Sequence, residues 1–157
     1  MKLTEIIAEE AVIVRLAAGD RDGVIAELID ALVRAGSAPA KMRDTLIQSV
    51  LERERRGSTG FGKGVAVPHV KHKSVTRVAA AIGLSPPGID FNSLDKQPVF
   101  SIVLLLSPED KPEEHLQAME AIFKNLSKDT FRRFLRQAGS TEDVVSLLAE
   151  ADGQQLG

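Results

Sequence analysis

The sequence contains no cysteine among its 157 residues. This absence excludes disulfides, thiolate nucleophiles and metal sites built on cysteine, so covalent chemistry must use another residue type. Aromatic residues are also scarce, at 4% of the chain, and all six are phenylalanine. Single-stranded nucleic acids are bound largely by stacking of bases on aromatic side chains, so the composition argues against a nucleic-acid-binding protein.

No apolar run reaches the roughly 20 residues that a membrane-spanning helix needs. The longest, Val99–Leu106, has the length of a strand and indicates one that is buried on both faces. The first ten residues carry three acids and lack the apolar stretch of a secretory signal. The sequence therefore predicts a cytoplasmic protein with no direct insertion into a membrane.

The overall composition is that of a single globular domain, with 43% apolar and 27% charged residues and a net charge of −2. Helix-like and strand-like segments alternate with short connections, which predicts one α/β domain over residues 1–150 and a disordered tail over 151–157. Helices are predicted over 20–36, over 40–56, from Pro112, around Phe131–Leu135 and from Ser140, and strands over 12–16, 65–67, 75–84 and 99–106, with a turn at Ser85–Gly88. Four side chains are predicted to form the core stripe of the helix from Pro112: Leu116, Met119, Phe123 and Leu126.

The chain has three histidines, and two of them, His69 and His72, follow its most glycine-rich segment. Pro68 precedes His69 at the end of a predicted strand, where the proline ring fixes its own φ and keeps Val67 extended. A side chain presented from such a rigid edge suits a nucleophile. The alternative is an ordinary loop residue at a strand end.

The third histidine, His115, falls in the first turn of the helix predicted from Pro112. Helix N-termini disfavour positive charge, so an imidazole there stays neutral and can donate one N–H near a phosphoryl group. The alternative is a solvent-exposed polar residue, which is the more common occupant of a first turn.

Basic residues concentrate around His69 in the chain. Between Arg53 and Lys73 lie six bases and one acid, a net charge of +5. This zone would attract anionic substrates or phosphoryl groups, and an arginine at a helix end is a natural partner for phosphoryl oxygens. An ordinary solvated face is the alternative, and the roles of His72 and of the basic cluster over residues 53–73 stay open.

Sharper catalytic motifs are absent. Gly60–Gly64 contains three glycines but lacks P-loop spacing and leads into a strand, which does not support nucleotide binding. His69 and His72 with Glu113 and Glu114 form only a weak metal-site pattern, since the helical His-Glu-x-x-His spacing is missing. There is no Gly-x-Ser-x-Gly elbow for acyl transfer by serine. The sequence thus implies neither a metal nor another cofactor.

Four segments follow one another in an order that forms the most specific pattern in the chain: Leu51–Glu54, Ser58–His69, Leu104–Pro108 and Glu114–Gln117. Together they resemble the fructose/mannitol-type enzyme IIA domain of the bacterial phosphoenolpyruvate-dependent sugar phosphotransferase system. That family includes the nitrogen-regulatory enzyme IIA proteins. The resemblance covers nearly the whole chain and implies a mixed β-sheet sandwiched by helices, in agreement with the α/β pattern.

The resemblance also implies a phosphotransferase role for each matching residue. His69 corresponds to the histidine that accepts a phosphoryl group from the histidine phosphocarrier protein and passes it on. Arg53 corresponds to the arginine that steadies the phosphoryl oxygens, and His115 to the second active-site histidine. Backbone N–H groups of the glycine loop would add further donors to the phosphoryl group. The loop residues with this expected role are Thr59, Gly60, Gly62 and Gly64.

Two functions remain open under this resemblance. In sugar uptake, the chain would pass the phosphoryl group from His69 to an enzyme IIB cysteine on another polypeptide. In a nitrogen-type regulator, phosphorylation of His69 would instead switch the binding of regulatory protein targets. One departure from the family is Val70, where many relatives have glycine, followed by Lys71-His72-Lys73. This departure leaves the acceptor open, and the sequence predicts neither the sugar nor the oligomeric state.

Overall fold

The fold is given by a computed structural model, in which residues 1–154 are described. The helices are α1 (Leu3–Ile6), α2 (Arg21–Arg34), α3 (Arg43–Arg56), α4 (Pro112–Leu126), α5 (Asp129–Gln137) and α6 (Thr141–Gln154), with one turn of 3₁₀ helix at Ala40–Met42. The strands are β1 (Ile7–Ile13), β2 (Gly60–Gly62), β3 (Val65–Ala66), β4 (His69–His72), β5 (Ala79–Ile89) and β6 (Val99–Pro108). The alternation of helices and strands expected from the sequence holds only in part, because five consecutive strands follow α3 and three consecutive helices follow the last strand.

The strands form one mixed sheet. Its main path runs β1-β5-β6-β3-β2, and β4 also pairs with β6. β6 is antiparallel to β5 but parallel to β3 and β4. β1 is parallel to β5, and β2 is antiparallel to β3. The α/β class predicted from the sequence, and the mixed sheet implied by the family resemblance, are confirmed.

β6 lies inside the sheet and is buried on both faces, as its apolar run predicts. Side chains alternate between the two faces of a strand. Ile102, Leu104 and Leu106 therefore pack on one face with α2 and α3, whereas Val103 and Leu105 pack on the other with α1, α4, α5 and α6. Helices thus cover the sheet on both sides, and burial of these two apolar clusters, at about 25 cal/mol per Å², is the main favourable contribution to folding.

The helix predicted over 20–36 is confirmed as α2, and both of its ends have a local cause. The Asp20 side chain accepts a hydrogen bond from the Gly23 N–H at 2.7 Å, as an N-cap aspartate does. Gly36 has a φ of +76°, the left-handed conformation in which glycine commonly ends a helix. The helix predicted over 40–56 is confirmed as the 3₁₀ turn followed by α3.

Some predicted strand boundaries are wrong. The first strand is β1 rather than residues 12–16, because α1 leads directly into it at Ile7. β5 begins at Ala79 rather than Val75, and it contains Ser85–Gly88, which the sequence predicts as a turn. The pairing with β6 shifts register between Leu84 and Ile89. The proline-rich segment therefore forms a bulge that keeps the strand direction instead of reversing it.

The core stripe predicted for α4 is also partly wrong. Leu126 is buried, but Met119 and Phe123 are half-buried and Leu116 is 61% exposed. The buried face of the helix carries smaller side chains, including Ala118 and Ala121. The helix is thus rotated relative to the prediction, and this rotation turns a polar residue of its first turn toward the sheet.

The chain end does not follow the prediction of a disordered tail over 151–157. α6 continues to Gln154, and Ala151 and Asp152 are buried. The Asp152 carboxylate accepts hydrogen bonds from the Leu3 N–H at 2.7 Å and from the Thr4 N–H at 3.0 Å. The prediction is wrong for residues 151–154, and residues 155–157 lie outside the described range. Within residues 1–154, the helices are all too short or too polar to cross a membrane.

Candidate active site

His69 is the first residue of β4, and the pairing of β3 and β4 with β6 holds it in place. β3 pairs with Ser101 and Ile102 of β6, and β4 pairs with the same strand from Leu105 onward. Pro68 lies between them and has no N–H, but its carbonyl still accepts from the Leu105 N–H at 2.9 Å. His69 is therefore held in register against the buried central strand β6 instead of lying in a free loop, and the loop alternative considered from the sequence is wrong.

The His69 ring makes one hydrogen bond that fixes its protonation. Its Nδ1 lies 2.7 Å from the carbonyl oxygen of Val67. A carbonyl oxygen can only accept, so Nδ1 carries the proton and Nε2 of the neutral ring carries the lone pair. Burial lowers the pKa of His69 below its ordinary value, and the nearby positive charges of Arg53 and Lys71 lower it further, against the opposing effects of the Val67 bond and Glu54. The ring is therefore neutral at neutral pH.

His115 lies beside His69, with 5.7 Å between ring centroids and 45° between ring planes. It is only 8% exposed, so the alternative of a solvent-exposed first-turn residue is wrong. Its Nδ1 lies 2.7 Å from the hydroxyl of Ser107 on β6. Burial lowers the pKa of His115, and the positive charges of protonated His69 and of Lys71 add to this effect. Two neutral imidazole rings thus lie next to each other.

Arg53 lies in the last turn of α3 and lines an opening together with His69 and His115. One of its guanidinium nitrogens, Nη1, donates to the Gly57 carbonyl at 2.8 Å, which ties the side chain to the segment that leaves the helix. The opening has a volume of about 450 Å³. Eight residues line it: Ser49, Glu52, Arg53, Arg56, His69, Val70, Lys71 and His115. The structure thus brings together all three residues that the sequence predicts as catalytic.

The predicted phosphoryl-binding loop residues do not line this opening. Thr59 is buried, and its hydroxyl and N–H both donate to the Glu54 carboxylate. The glycines instead allow close approach to the segment 93–100: a Cβ on Gly60 would lie 2.3 Å from the Ser93 hydroxyl, and Gly64, at φ +78°, would meet the Phe100 ring. Gly62 has a φ of +111° and faces Asp95. Their expected role in binding the phosphoryl group is therefore not supported, because packing accounts for them.

His72 differs from His69 in the nitrogen that carries its proton. The Ser74 N–H donates to Nδ1 of His72 at 3.1 Å, and the Ser74 hydroxyl lies 2.8 Å from the same nitrogen. A backbone N–H can only donate, so Nδ1 of His72 has the lone pair and Nε2 of the neutral ring has the proton. His72 does not line the opening, and its hydrogen-bond partner, Ser74, is only two residues later in the chain.

Sequence reasoning misses several residues around the site. Glu54 and Ser107, both buried, lie within segments that carry the family resemblance, but the sequence assigns them no role, because that role depends on contacts with Thr59 and His115. Within residues 1–154 there is no cluster of three or more acids or histidines that could hold a metal ion. A larger cleft, of about 750 Å³, lies between the Lys63–Gly64 turn and α5, but it contains no histidine and shares no residue with the His69 opening.

Comparison with known families agrees with this geometry. The family model described as "Phosphoenolpyruvate-dependent sugar phosphotransferase system, EIIA 2" matches residues 5–151. The chain therefore belongs to this EIIA family, whose members are phosphoryl-transfer components. The family resemblance expected from the sequence is confirmed, and the general role in a phosphorelay follows from it.

Individual relatives carry two kinds of name. The chain is 35% identical to a PTS system fructose-specific EIIA component from Haloferax volcanii over 83% of each protein. It is 30% identical to a nitrogen regulatory protein from Bradyrhizobium diazoefficiens over 95% of each. It is also 30% identical to a PTS system fructose-specific EIIABC component from Bacillus subtilis, but there it spans only 24% of the relative's length.

Solved structures superpose on most of the chain. The crystal structure of the nitrogen regulatory protein IIA-Ntr from Neisseria meningitidis superposes with a TM-score of 0.83, at 28% identity, over 92% of this chain and 97% of that one. IIA mannitol from Escherichia coli superposes with a TM-score of 0.75 over 90% and 97% of the two chains. At 19% identity, the second likeness supports the fold alone.

Proposed function

We propose that this protein accepts a phosphoryl group on Nε2 of His69 from the histidine phosphocarrier protein and passes it to an acceptor on another chain. The observation that carries the proposal is the 2.7 Å bond from His69 Nδ1 to the Val67 carbonyl. It leaves the Nε2 lone pair available on a neutral, half-buried ring, which is the state that a nucleophilic imidazole needs.

The transfer step balances with no proton moved when the donor phosphohistidine ring carries a proton on its other nitrogen. The donor ring is then neutral after transfer, and the His69 ring, with hydrogen on Nδ1 and phosphorus on Nε2, becomes cationic. The Nε2 lone pair attacks phosphorus and forms an N–P bond, while the N–P bond of the donor phosphohistidine breaks and returns an electron pair to the donor ring. Such a step requires in-line approach and neutralisation of the phosphoryl oxygens more than acid-base catalysis. Arg53, Arg56 and Lys71 line the opening and provide the positive charge.

His115 completes this arrangement as a neutral hydrogen-bond donor. If the Ser107 hydroxyl donates to Nδ1 of His115, the ring proton is on Nε2, from which it can be donated to a phosphoryl oxygen. The lowered pKa of His115 favours its neutral ring, and the Ser107 contact governs which of its nitrogens carries the proton.

The onward acceptor in sugar uptake would be an enzyme IIB protein in the cytoplasm. The fructose-specific EIIA relative from Haloferax volcanii supports this assignment, since it is a similar protein matched over most of its length. A regulatory role is the second candidate. The matching nitrogen regulatory protein from Bradyrhizobium diazoefficiens, aligned over 95% of each chain, favours a switch in which phosphorylated His69 changes protein binding.

The test of the shared first step is phosphorylation by the purified relay. The protein is incubated with phosphoenolpyruvate, enzyme I and phosphocarrier protein, and its intact mass is compared with that of His69→Ala and His72→Ala. We expect one acid-labile phosphoryl group on the wild type and on His72→Ala, and none on His69→Ala. Labelling of His69→Ala would refute the assignment, as would an unlabelled wild type beside a phosphorylated carrier from the same organism.

The two candidate roles separate in a second step. The phosphorylated protein is mixed with an enzyme IIB protein from the same organism, and loss of its phosphoryl group is followed by mass. Transfer to a IIB cysteine supports the role in sugar uptake. Retention of the group, together with a regulatory protein bound by only one phosphorylation state, supports the nitrogen-type role.

A further inference from the structure

We infer that Glu54 is a positioning residue: through Thr59 and Val67 it fixes which nitrogen of His69 carries the lone pair. The inference relies on the proposed function for its effect on phosphoryl transfer. Its effect on the His69 ring can be measured in the unphosphorylated protein and stands separately.

Glu54 occupies an unusual environment for a carboxylate. It is 3% exposed, in the last turn of α3, and it forms no ion pair within residues 1–154. Burial of an acidic side chain without a cation is costly unless hydrogen bonds satisfy its oxygens. The hydrogen bonds that Glu54 makes must therefore offset the cost of burying its side chain.

Both carboxylate oxygens of Glu54 bind one residue, Thr59. The Thr59 N–H donates to Oε2 at 3.2 Å, and the Thr59 hydroxyl donates to Oε1. Two bonds from one side chain fix both the position and the rotation of the Thr59 peptide. Thr59 is itself buried, so water cannot replace these bonds.

A continuous path of hydrogen bonds then leads from Thr59 to His69. The Thr59 carbonyl accepts from the Val67 N–H at 3.2 Å. The carbonyl of the same Val67 accepts from Nδ1 of His69 at 2.7 Å. Glu54 thus helps to hold Val67, the residue whose carbonyl oxygen selects the His69 tautomer.

The last turn of α3 also fixes the side chain of Arg53. Arg53 precedes Glu54 in α3, and its Nη1 donates to the Gly57 carbonyl at 2.8 Å. The Gly57 N–H in turn donates to the Glu54 backbone carbonyl at 3.2 Å. The segment between α3 and β2 is thus hydrogen-bonded to the end of α3 at both Gly57 and Thr59. These bonds fix the position of Arg53 relative to His69.

Loss of the Glu54 carboxylate releases this segment. The Val67 carbonyl is then free to move away from Nδ1 of His69, and the ring proton can shift to Nε2. A histidine with its proton on the reacting nitrogen has no lone pair there, and a wrong tautomer is known to slow catalysis severely in other histidine enzymes.

The experiment compares Glu54→Ala with Glu54→Gln and with a matched control, Glu27→Ala. Glu27 also accepts backbone N–H bonds, from Ala17 at 3.0 Å and Ala18 at 2.9 Å, but it lies on α2 and does not line the His69 opening. Glutamine keeps an acceptor for the Thr59 N–H and a donor for its hydroxyl. Nitrogen NMR of histidine-labelled protein reports the tautomer of His69, and rapid mixing with phosphorylated carrier reports the transfer rate.

We expect Glu54→Ala to show a mixture of His69 tautomers and a transfer rate lowered on the order of tenfold, the loss typical of removing an orienting residue behind a reactive one. Glu54→Gln and Glu27→Ala should keep the wild-type His69 signals and rate. Thr59→Val, which removes only the hydroxyl, gives a milder version of the same change if Glu54→Ala does not fold.

An unchanged His69 tautomer in Glu54→Ala, or in Thr59→Val where Glu54→Ala is unfolded, overturns the inference. So does a tautomer change of the same size in Glu27→Ala, because this would be a general effect of lost stability. If the wild type accepts no phosphoryl group, the proposed function fails, yet the tautomer comparison still decides the role of Glu54.

Discussion

Nδ1 of His69 lies 2.7 Å from the carbonyl oxygen of Val67, two residues earlier in the chain. This bond places the lone pair of the neutral ring on Nε2. Three residues later, His72 shows the reverse: its Nδ1 accepts from the Ser74 N–H at 3.1 Å. Local backbone contacts therefore give two histidines of one strand opposite tautomers, and of these two His69 is the one with its lone pair on Nε2.

The first prediction concerns the pH dependence of His69. Its pKa is lowered by burial and by nearby positive charge, so the ring stays neutral as the pH falls to the ordinary histidine value of about 6.5. Because only the neutral ring can act as a nucleophile, the rate of phosphoryl acceptance by His69 is expected to fall only below that pH. An NMR titration of the His69 ring should have its midpoint below about 6.5. A midpoint at or above this value would contradict the assigned environment.

The second prediction concerns Arg53. Arg53→Ala should fold and accept phosphoryl groups on the order of tenfold more slowly, because a charge-assisted contact to the phosphoryl oxygens is lost. Arg53→Lys keeps the charge but not the planar fork, so its rate should be intermediate. Arg55→Ala is the matched control, since Arg55 is exposed in the same turn but does not line the opening. Equal rates for Arg53→Ala and Arg55→Ala would remove Arg53 from the site.

The third prediction concerns the contact between Ser107 and His115. Ser107→Ala removes the hydroxyl that lies 2.7 Å from Nδ1 of His115, which should lower the free energy of unfolding by about 1 kcal/mol. Transfer should slow as well, by a smaller factor than in Arg53→Ala, because His115 remains but is no longer oriented. Denaturant unfolding and transfer rates measure the two effects. A destabilised variant with wild-type transfer would show that Ser107 acts on folding alone.

The fourth prediction concerns Asp152, whose carboxylate satisfies the first N–H groups of α1. Asp152→Ala leaves the buried Leu3 N–H without an acceptor, so the free energy of unfolding should fall by about 2 kcal/mol. Glu150→Ala, an exposed change on the same helix, should stay within about 0.5 kcal/mol of the wild type. Similar stabilities for the two variants would mean that the chain ends are not joined by this contact.

The sequence predicts those parts of the fold whose causes are local. Asp20 and Gly36 mark the ends of α2 because capping depends on neighbouring residues. The Ser85–Gly88 segment misleads because its composition favours a turn, while pairing of Ile89 with Val99 across the sheet keeps it extended. The exposure of Leu116 follows from how α4 is placed on the sheet, which helical spacing alone does not determine.

The candidate site is likewise predicted only in part from the sequence. His69, Arg53 and His115 are predicted because they match specific motifs, and the structure brings them to one opening. The phosphoryl-binding role predicted for the glycine loop is not supported by the residues that line the opening, because glycine serves equally for binding a phosphoryl group and for close packing. Only the distances from Gly60 and Gly64 to their neighbours separate the two. Glu54 lies in the motif segment Leu51–Glu54, but the motif assigns it no role, since that role depends on a hydrogen-bond path through Thr59.

The central claim is that His69 accepts the phosphoryl group on Nε2, and one measurement tests it directly. Histidine-labelled protein is phosphorylated by the carrier, and nitrogen–phosphorus coupling in the NMR spectrum identifies the bonded atom. The account predicts a single coupling, to Nε2 of His69, with Nδ1 still protonated and bonded to Val67. Coupling to Nδ1 of His69, or to any nitrogen of His72 or His115, would contradict it.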